Sequence, residues 1–129
     1  MKLLAIVIVG LALGLGTILL PSAASAGDDA VQAMAVVLVD LNHVPSDEQK
    51  TTLQAIVDDS AASEQERAIA NALINVQHKA SAADKEQMQG IMDDESASAE
   101  LRELAGIVYR LDHKPSAADK EQLNALIAN

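Results

Sequence analysis

The residues with the clearest chemical potential in this chain are its three histidines, because neutral imidazole is the commonest metal ligand and titrates near neutral pH. His43, His78 and His113 are each 35 residues from the next. The surrounding sequence repeats with them: the ten residues that begin at His78 and the ten that begin at His113 differ only at Ala80 and Pro115. The chain is therefore a tandem array of three copies of one unit.

Two interpretations of these histidines follow from the repeat. In the first, each imidazole lies in the last turn of a helix, where a cationic side chain stabilises the negative end of the dipole, and Lys79 and Lys114 directly follow two of them. In the second, the three bind a metal ion. Stacked helices are about 8–10 Å apart, whereas a zinc ligand lies within about 2.1 Å of the ion. Equivalent side chains should then form a ladder, so the spacing favours capping and predicts no cofactor. His43, His78 and His113 stay the alternative metal ligands.

Apolar periodicity predicts two helices in each copy, with a broad stripe on the first helix and a narrower one on the second. We predict an all-α fold of three tandem 35-residue helix-turn-helix repeats, near residues 31–65, 66–100 and 101–129, arranged as a short right-handed α-solenoid or a compact six-helix bundle. The stripes of the first helices consist of Met34, Val37, Leu38, Leu41, Ile69, Ala72, Leu73, Val76, Leu104, Ile107, Val108 and Leu111.

Serines mark where these helices should begin. Ser46, Ser81 and Ser116 precede the second helices, and Ser63 and Ser98 precede the first helices of the later copies. A serine at the N-cap accepts a hydrogen bond from an unpaired amide of the first turn. In four of the five cases a Gln, Asp or Glu follows three residues later, which is the capping-box spacing or close to it.

A helix-turn-helix unit of this length is similar to the tetratricopeptide and pentatricopeptide classes of repeat, which bind peptides or RNA on a concave face. The similarity covers the period and the helix count. The Trp of the tetratricopeptide pattern is absent here, and Tyr109 has no counterpart in the other copies. The resemblance therefore implies an architecture and carries no functional residues to this chain.

The N-terminus has the features of an export signal. An apolar stretch runs from Leu3 to Leu20, and Ala24-Ser25-Ala26 has the spacing of a signal-peptidase site. We predict a cleaved signal peptide at 1–26, a helical-repeat domain at 27–129, no membrane insertion after cleavage, and a periplasmic or secreted location, most typical of a bacterium. The alternative is a retained anchor, because 18 apolar residues are close to the shortest span of a bilayer.

Charge and composition exclude several classes of function. The formal net charge is −10, and loss of the leader with its one lysine makes it −11. Nucleic-acid binding requires clustered Lys and Arg, so no nucleic-acid partner is predicted. Cysteine is absent, which removes disulfides and thiolate ligands. The sequence contains no glycine-rich phosphate loop and no nucleophile beside an oriented base, so we do not expect an enzyme.

These observations predict a noncatalytic binding or scaffold module for a protein or peptide, held in the groove lined by the first helices. Metal-ion binding through the repeated histidines is the alternative, and a holdase-type chaperone is a further one. The array ends soon after Leu123, Leu126 and Ile127 with no polar capping helix. We therefore expect these side chains to be partly exposed and to form an interaction surface, with self-association as one outcome.

Overall fold

The computed structural model describes residues 28–129, which form six α-helices and no β-strand beyond isolated bridges. The predicted all-α fold is confirmed, in its compact six-helix form. The predicted leader lies outside the described residues, and no helix among the described ones is long and apolar enough to cross a bilayer. Residues 28–40 belong to α1, and the other helices are α2 (Asp47–Asp58), α3 (Glu64–Asn75), α4 (Ala82–Met92), α5 (Ala99–Tyr109) and α6 (Ala117–Ala128).

The serines start the helices as the sequence predicts. At α2, the Ser46 hydroxyl accepts from the Gln49 N–H at 3.2 Å, and Gln49 Oε1 accepts from the Ser46 N–H at 2.9 Å. Ser63 and Glu66 make the same reciprocal pair at α3. These capping boxes pair amides that the helix itself leaves unpaired. The hydroxyls of Ser81, Ser98 and Ser116 also accept from first-turn amides of α4, α5 and α6, and Ser116 makes a full capping box with Asp119.

The inner helices α1, α3 and α5 bury their stripes in one shared core. Met34, Ile69 and Leu104 are fully buried at equivalent positions of the three copies. Ala35, Ala70 and Ala105 are also fully buried, and their small side chains let the inner helices approach closely. The surface that would line a groove in an open solenoid is therefore filled by the core.

The six helices close into a ring about an axis of approximate threefold symmetry. Outer helix α2 packs on inner helix α3 of the next copy, and α4 packs on α5 in the same way. At the junction of the last and first copies, the Gln32 side-chain amide donates to the backbone carbonyl of Asn129 at 2.6 Å, which places the end of α6 beside α1. The third copy thus meets the first, and the array is closed.

This closure changes the environment of the last helix. The sequence predicts partial exposure of Leu123, Leu126 and Ile127, but Leu123 is fully buried and Leu126 is 5% exposed. Ile127 is half-buried and packs against the same core. The prediction of an exposed apolar end is wrong, because α1 covers the face that an open array would leave uncovered.

Candidate metal centre

Each histidine lies in a tight turn just beyond an inner helix. The prediction of a place in the last helical turn is wrong, because α1, α3 and α5 end three or four residues earlier. The three φ angles are 73°, 73° and 68°, in the left-handed region. Around His43, the Val44 N–H donates to the Asn42 carbonyl at 2.9 Å, which makes this turn a γ-turn of the rare, strained kind. The imidazoles are therefore held off the helix ends.

The backbones of the three histidines form a closed ring of hydrogen bonds. The His43 N–H donates to the His113 carbonyl at 2.7 Å, the His78 N–H to the His43 carbonyl at 2.9 Å, and the His113 N–H to the His78 carbonyl at 2.5 Å. Each residue donates once and accepts once, in the same sense around the axis. This ring joins all three copies at one end of the molecule and fixes where their side chains start.

The three imidazoles form a cluster on the axis. Ring centroids are 5.4 Å apart for His43 and His78, 5.2 Å for His43 and His113, and 5.1 Å for His78 and His113. One nitrogen from each ring lies within 4.8 Å of the others. The expectation of a ladder is wrong, because the copies are arranged around an axis and not stacked along one. The geometric objection to a shared metal ion therefore does not apply.

Neighbouring side chains orient two of the rings. The Nδ1–H of His43 donates to Asn42 Oδ1 at 2.6 Å, and the Nδ1–H of His113 donates to Asp112 Oδ1 at 2.6 Å. In a neutral imidazole with its proton on Nδ1, the lone pair lies on Nε2. Metal-binding histidines commonly donate their second nitrogen to a carboxylate or carbonyl in this way, which fixes the tautomer. Asp112 thereby orients the imidazole of the next residue.

The histidines also belong to a small set of positions that are identical in all three copies. Over residues 28–129 only four positions of the repeat have this property. The buried alanines allow close helix packing, and the serines cap the outer helices. The lysines on the outer helices are half-buried in two copies. Only the histidines are exposed in all three copies while capping no helix. The four sets are Ala35, Ala70 and Ala105; His43, His78 and His113; Ser46, Ser81 and Ser116; and Lys50, Lys85 and Lys120.

The backbone conformation alone does not require histidine. Glycine adopts a positive φ without steric cost, and asparagine and aspartate tolerate it better than most residues, as histidine does. A strained conformation of this kind costs on the order of 1–3 kcal/mol, and such residues cluster at functional sites. Here the strained position carries an imidazole three times. The side chain, rather than the turn, accounts for the residue type.

The opposite end of the axis has a different character. A pocket of about 590 Å³ opens where the inner helices begin, and Asp28, Ser63 and Ser98 line it at equivalent positions. Glu66 and Glu100 add acidic groups to the wall. In the nearby loop, hydrogen bonds from the Ser96 hydroxyl and amide lower the pKa of Asp94 below its ordinary value. Glu66 is committed to the capping box of α3 and Asp94 to its turn, and no three acids among the described residues converge as the imidazoles do.

The sequence identified the three histidines but not the features that make them a site. Asn42 and Asp112 occupy the same repeat position, and an amide or carboxylate directly before a histidine is the one sequence signal that could have indicated an orienting role. Positive φ and the backbone ring have no sequence signature of their own. Comparison with protein-family models, with curated proteins and with solved structures found no match to this chain.

Proposed function

We propose that the protein binds a transition-metal ion through the Nε2 atoms of His43, His78 and His113. The observation that carries this proposal is the convergence of one ring nitrogen from each copy within 4.8 Å on the axis. In a tetrahedral zinc site with bonds of about 2.05 Å, ligand nitrogens lie about 3.3 Å apart. Because the side chains are exposed, we expect rotations about their side-chain bonds to close this difference while the backbone ring stays in place.

The donor set indicates which ions fit. Imidazole suits zinc, copper and nickel, and affinity at a given nitrogen site rises through nickel to copper and falls again at zinc. Three histidines with an open fourth position are also the protein ligands of known catalytic zinc sites. Here all three imidazoles are exposed, and the pocket beside them is lined by His78 but not by His43 or His113, so we propose noncatalytic binding. In an exported chain, such a site would take up or hand over metal outside the cytoplasm.

Metal binding has more support in the described residues than the peptide groove does. The stripe residues that would line such a groove, among them Leu38, Leu73 and Val108, are fully buried. The histidines, in contrast, are exposed in every copy and oriented in two of them. Metal binding, the alternative in the sequence analysis, is therefore the function we propose.

The direct test is calorimetric titration of the protein, purified without metal resin, with Zn²⁺ and with Cu²⁺. We expect one ion per chain. The matched variant replaces all three histidines with asparagine, because asparagine tolerates the positive φ and alanine does not. Circular dichroism should show unchanged helicity in this variant, and metal binding should be lost.

Glu95→Gln provides a control, because it removes an exposed acid from a loop at the other end of the molecule and should leave the titration unchanged. The proposal fails if the unaltered protein takes up no stoichiometric metal. It also fails if the triple asparagine variant binds as tightly as the unaltered protein.

A further inference from the structure

The histidine cluster is open on the side that faces away from the protein. Every residue of the three turns, 42–44, 77–79 and 112–114, is exposed. The side chain of His113 is 54% exposed and that of Asp112 is 78% exposed. Three ligands from one side occupy one face of an ion's coordination sphere. The opposite face points along the axis into solvent, and none of the described residues covers it.

We propose that a second copy of this chain covers that face around an ion that prefers six ligands, such as Ni²⁺. This inference rests on the proposed function. Two copies would meet end to end on a shared axis, and each would contribute His43, His78 and His113 to one ion. In an octahedron with bonds of about 2.1 Å, adjacent nitrogens lie about 3.0 Å apart. This distance is close to the nitrogen spacing of about 3.3 Å in a tetrahedral site, so the same three histidines suit either geometry.

The symmetry of the site suits this partner better than an unrelated one. A threefold set of donors on one side of an ion leaves a threefold set of positions on the other. A second copy, related by a twofold axis through the ion, presents the same donors in the same arrangement. Pairing of identical surfaces about a twofold axis is also the commonest form of protein association.

The contact around the ion would be small. The three turns of one chain contain nine residues in total, whereas a stable interface uses about 20–30 residues from each chain. The residues that flank the histidines in these turns form the rim of the site. They include Lys79 and Lys114 but only one acid, Asp112, so the rims of two chains would not attract each other strongly. Protein contacts alone should not hold the pair together. Association should therefore require the metal and be reversed by a chelator.

The ion's preferred geometry then determines the assembly. Zinc in proteins is almost always four-coordinate when all its ligands are protein side chains, or keeps one position for water. With Zn²⁺ the three imidazoles and a water molecule complete the site, and the protein stays a single chain. With Ni²⁺ the three imidazoles leave three positions, and the second copy fills them.

The experiment is native mass spectrometry, together with light scattering during gel filtration, on the protein with no metal, with Zn²⁺ and with Ni²⁺. We expect a single chain without metal, a single chain with one Zn²⁺, and a pair of chains with one Ni²⁺ that a chelator dissociates. One Ni²⁺ per single chain would overturn the pairing and leave the proposed function standing. No uptake of either ion would overturn both.

Val44→Lys is a variant that separates pairing from metal binding. Val44 is 47% exposed on the rim, and lysine already occupies the equivalent position in the other two copies, so the fold should accept it. The added charge faces the like-charged rim of the second copy, and like-charge contacts across an interface are costly. We expect unchanged Zn²⁺ binding and about tenfold weaker pairing with Ni²⁺. Equal pairing in the variant would contradict the end-to-end arrangement.

Discussion

The two ends of the axis differ in how closely the three copies resemble each other. At one end, the same residue, the same positive φ and the same backbone hydrogen bond recur in every copy. At the other end, Val31, Glu66 and Leu101 fill equivalent buried positions, and Gln32 replaces the arginines of the later copies. The same inner helices reach both ends, and at one of these ends the three repeats differ in sequence. The fold therefore does not require identical residues in the three repeats. The uniformity at one end therefore calls for a cause specific to that end.

A physical difference between the ends supports this view. Where the inner helices begin, each copy satisfies its own amides locally. Glu66 accepts from Ser63, and Ser98 accepts from Leu101. Such caps work in several chemical versions, so the copies can differ. Where the inner helices end, each histidine contacts both others, and a change in one copy alters all three.

The largest expected effect of a single substitution is on metal affinity, at the histidine end. His78→Asn removes one of the three proposed ligands while keeping a residue that tolerates positive φ. Metal affinity should fall by about 100-fold or more, which corresponds to about 2.7 kcal/mol. Titration calorimetry measures this loss. The matched change at the other end, Glu66→Gln, should leave affinity unaltered, and an equal loss there would remove the distinction between the ends.

The next effect is on folding stability and tests the strained turn. At His78, φ is 73°, and a β-branched residue is strongly disfavoured in this region. His78→Val should lower the free energy of unfolding by about 1–2 kcal/mol. His78→Gly relieves the strain but adds freedom to the unfolded chain, so it should stay within about 1 kcal/mol of the unaltered protein. Denaturant unfolding compares the two, and equal stabilities would argue against strain at this turn.

A similar loss of stability without any loss of metal binding is expected at the opposite end. Ser63→Ala removes the hydroxyl that accepts from Glu66 and breaks the capping box of α3. Loss of such a cap costs about 1 kcal/mol. Thermal unfolding should report this change, while Zn²⁺ titration at a temperature where the variant is folded should be unaltered. A weaker Zn²⁺ complex would show that the two ends are coupled more strongly than the comparison implies.

The smallest effect concerns acid stability. Burial raises the pKa of Asp119, but hydrogen bonds from Arg110 and Ser116 outweigh it, so the net pKa lies below its ordinary value. Asp119 therefore contributes stability that is present above the unfolded-state pKa and is lost as pH falls through the lower folded-state value. Arg110 is 48% exposed, so the contribution should be at most about 1 kcal/mol.

Asp119→Asn should reduce stability near neutral pH and flatten its decline in acid. Urea unfolding at a series of pH values measures this dependence. Asp94→Asn gives the comparison at the other end, where hydrogen bonds from Ser96 lower the pKa of Asp94 the most and the charge of Arg102 contributes least. An unchanged acid profile in Asp119→Asn would contradict the assigned role of the ion pair.

Much of this fold follows from local sequence signals. Serines at fixed places start the helices, and the periodic apolar residues, such as Leu38 and Leu73, are the ones the core buries. These features are decided within a helix or one turn. Closure of the ring is different, because it depends on whether α6 meets α1 at a distance of almost the whole chain. Exposure of Leu126 and the ladder of histidines were both predicted for an open array, and both are wrong for the same reason.

The histidine cluster, like the ring closure, could be predicted only in part from the sequence. That His43, His78 and His113 recur is visible in the sequence, and so is the residue that precedes each of them. Their meeting is not, because it depends on a backbone turn with positive φ and on hydrogen bonds between residues 35 and 70 positions apart. A positive φ is uncommon for any residue other than glycine, so periodicity placed these histidines on the helix instead.

The threefold ring makes this single chain equivalent to a homotrimer whose subunits are joined by the segments between α2 and α3 and between α4 and α5. Each subunit supplies one imidazole. A partly folded chain with one hairpin detached therefore presents two of the proposed ligands, and only the fully assembled chain presents all three. An ion that binds the three-ligand form most tightly stabilises the assembled state by mass action. The metal concentration would then determine both the occupancy of the site and the fraction of partly unfolded chains that proteases can cleave.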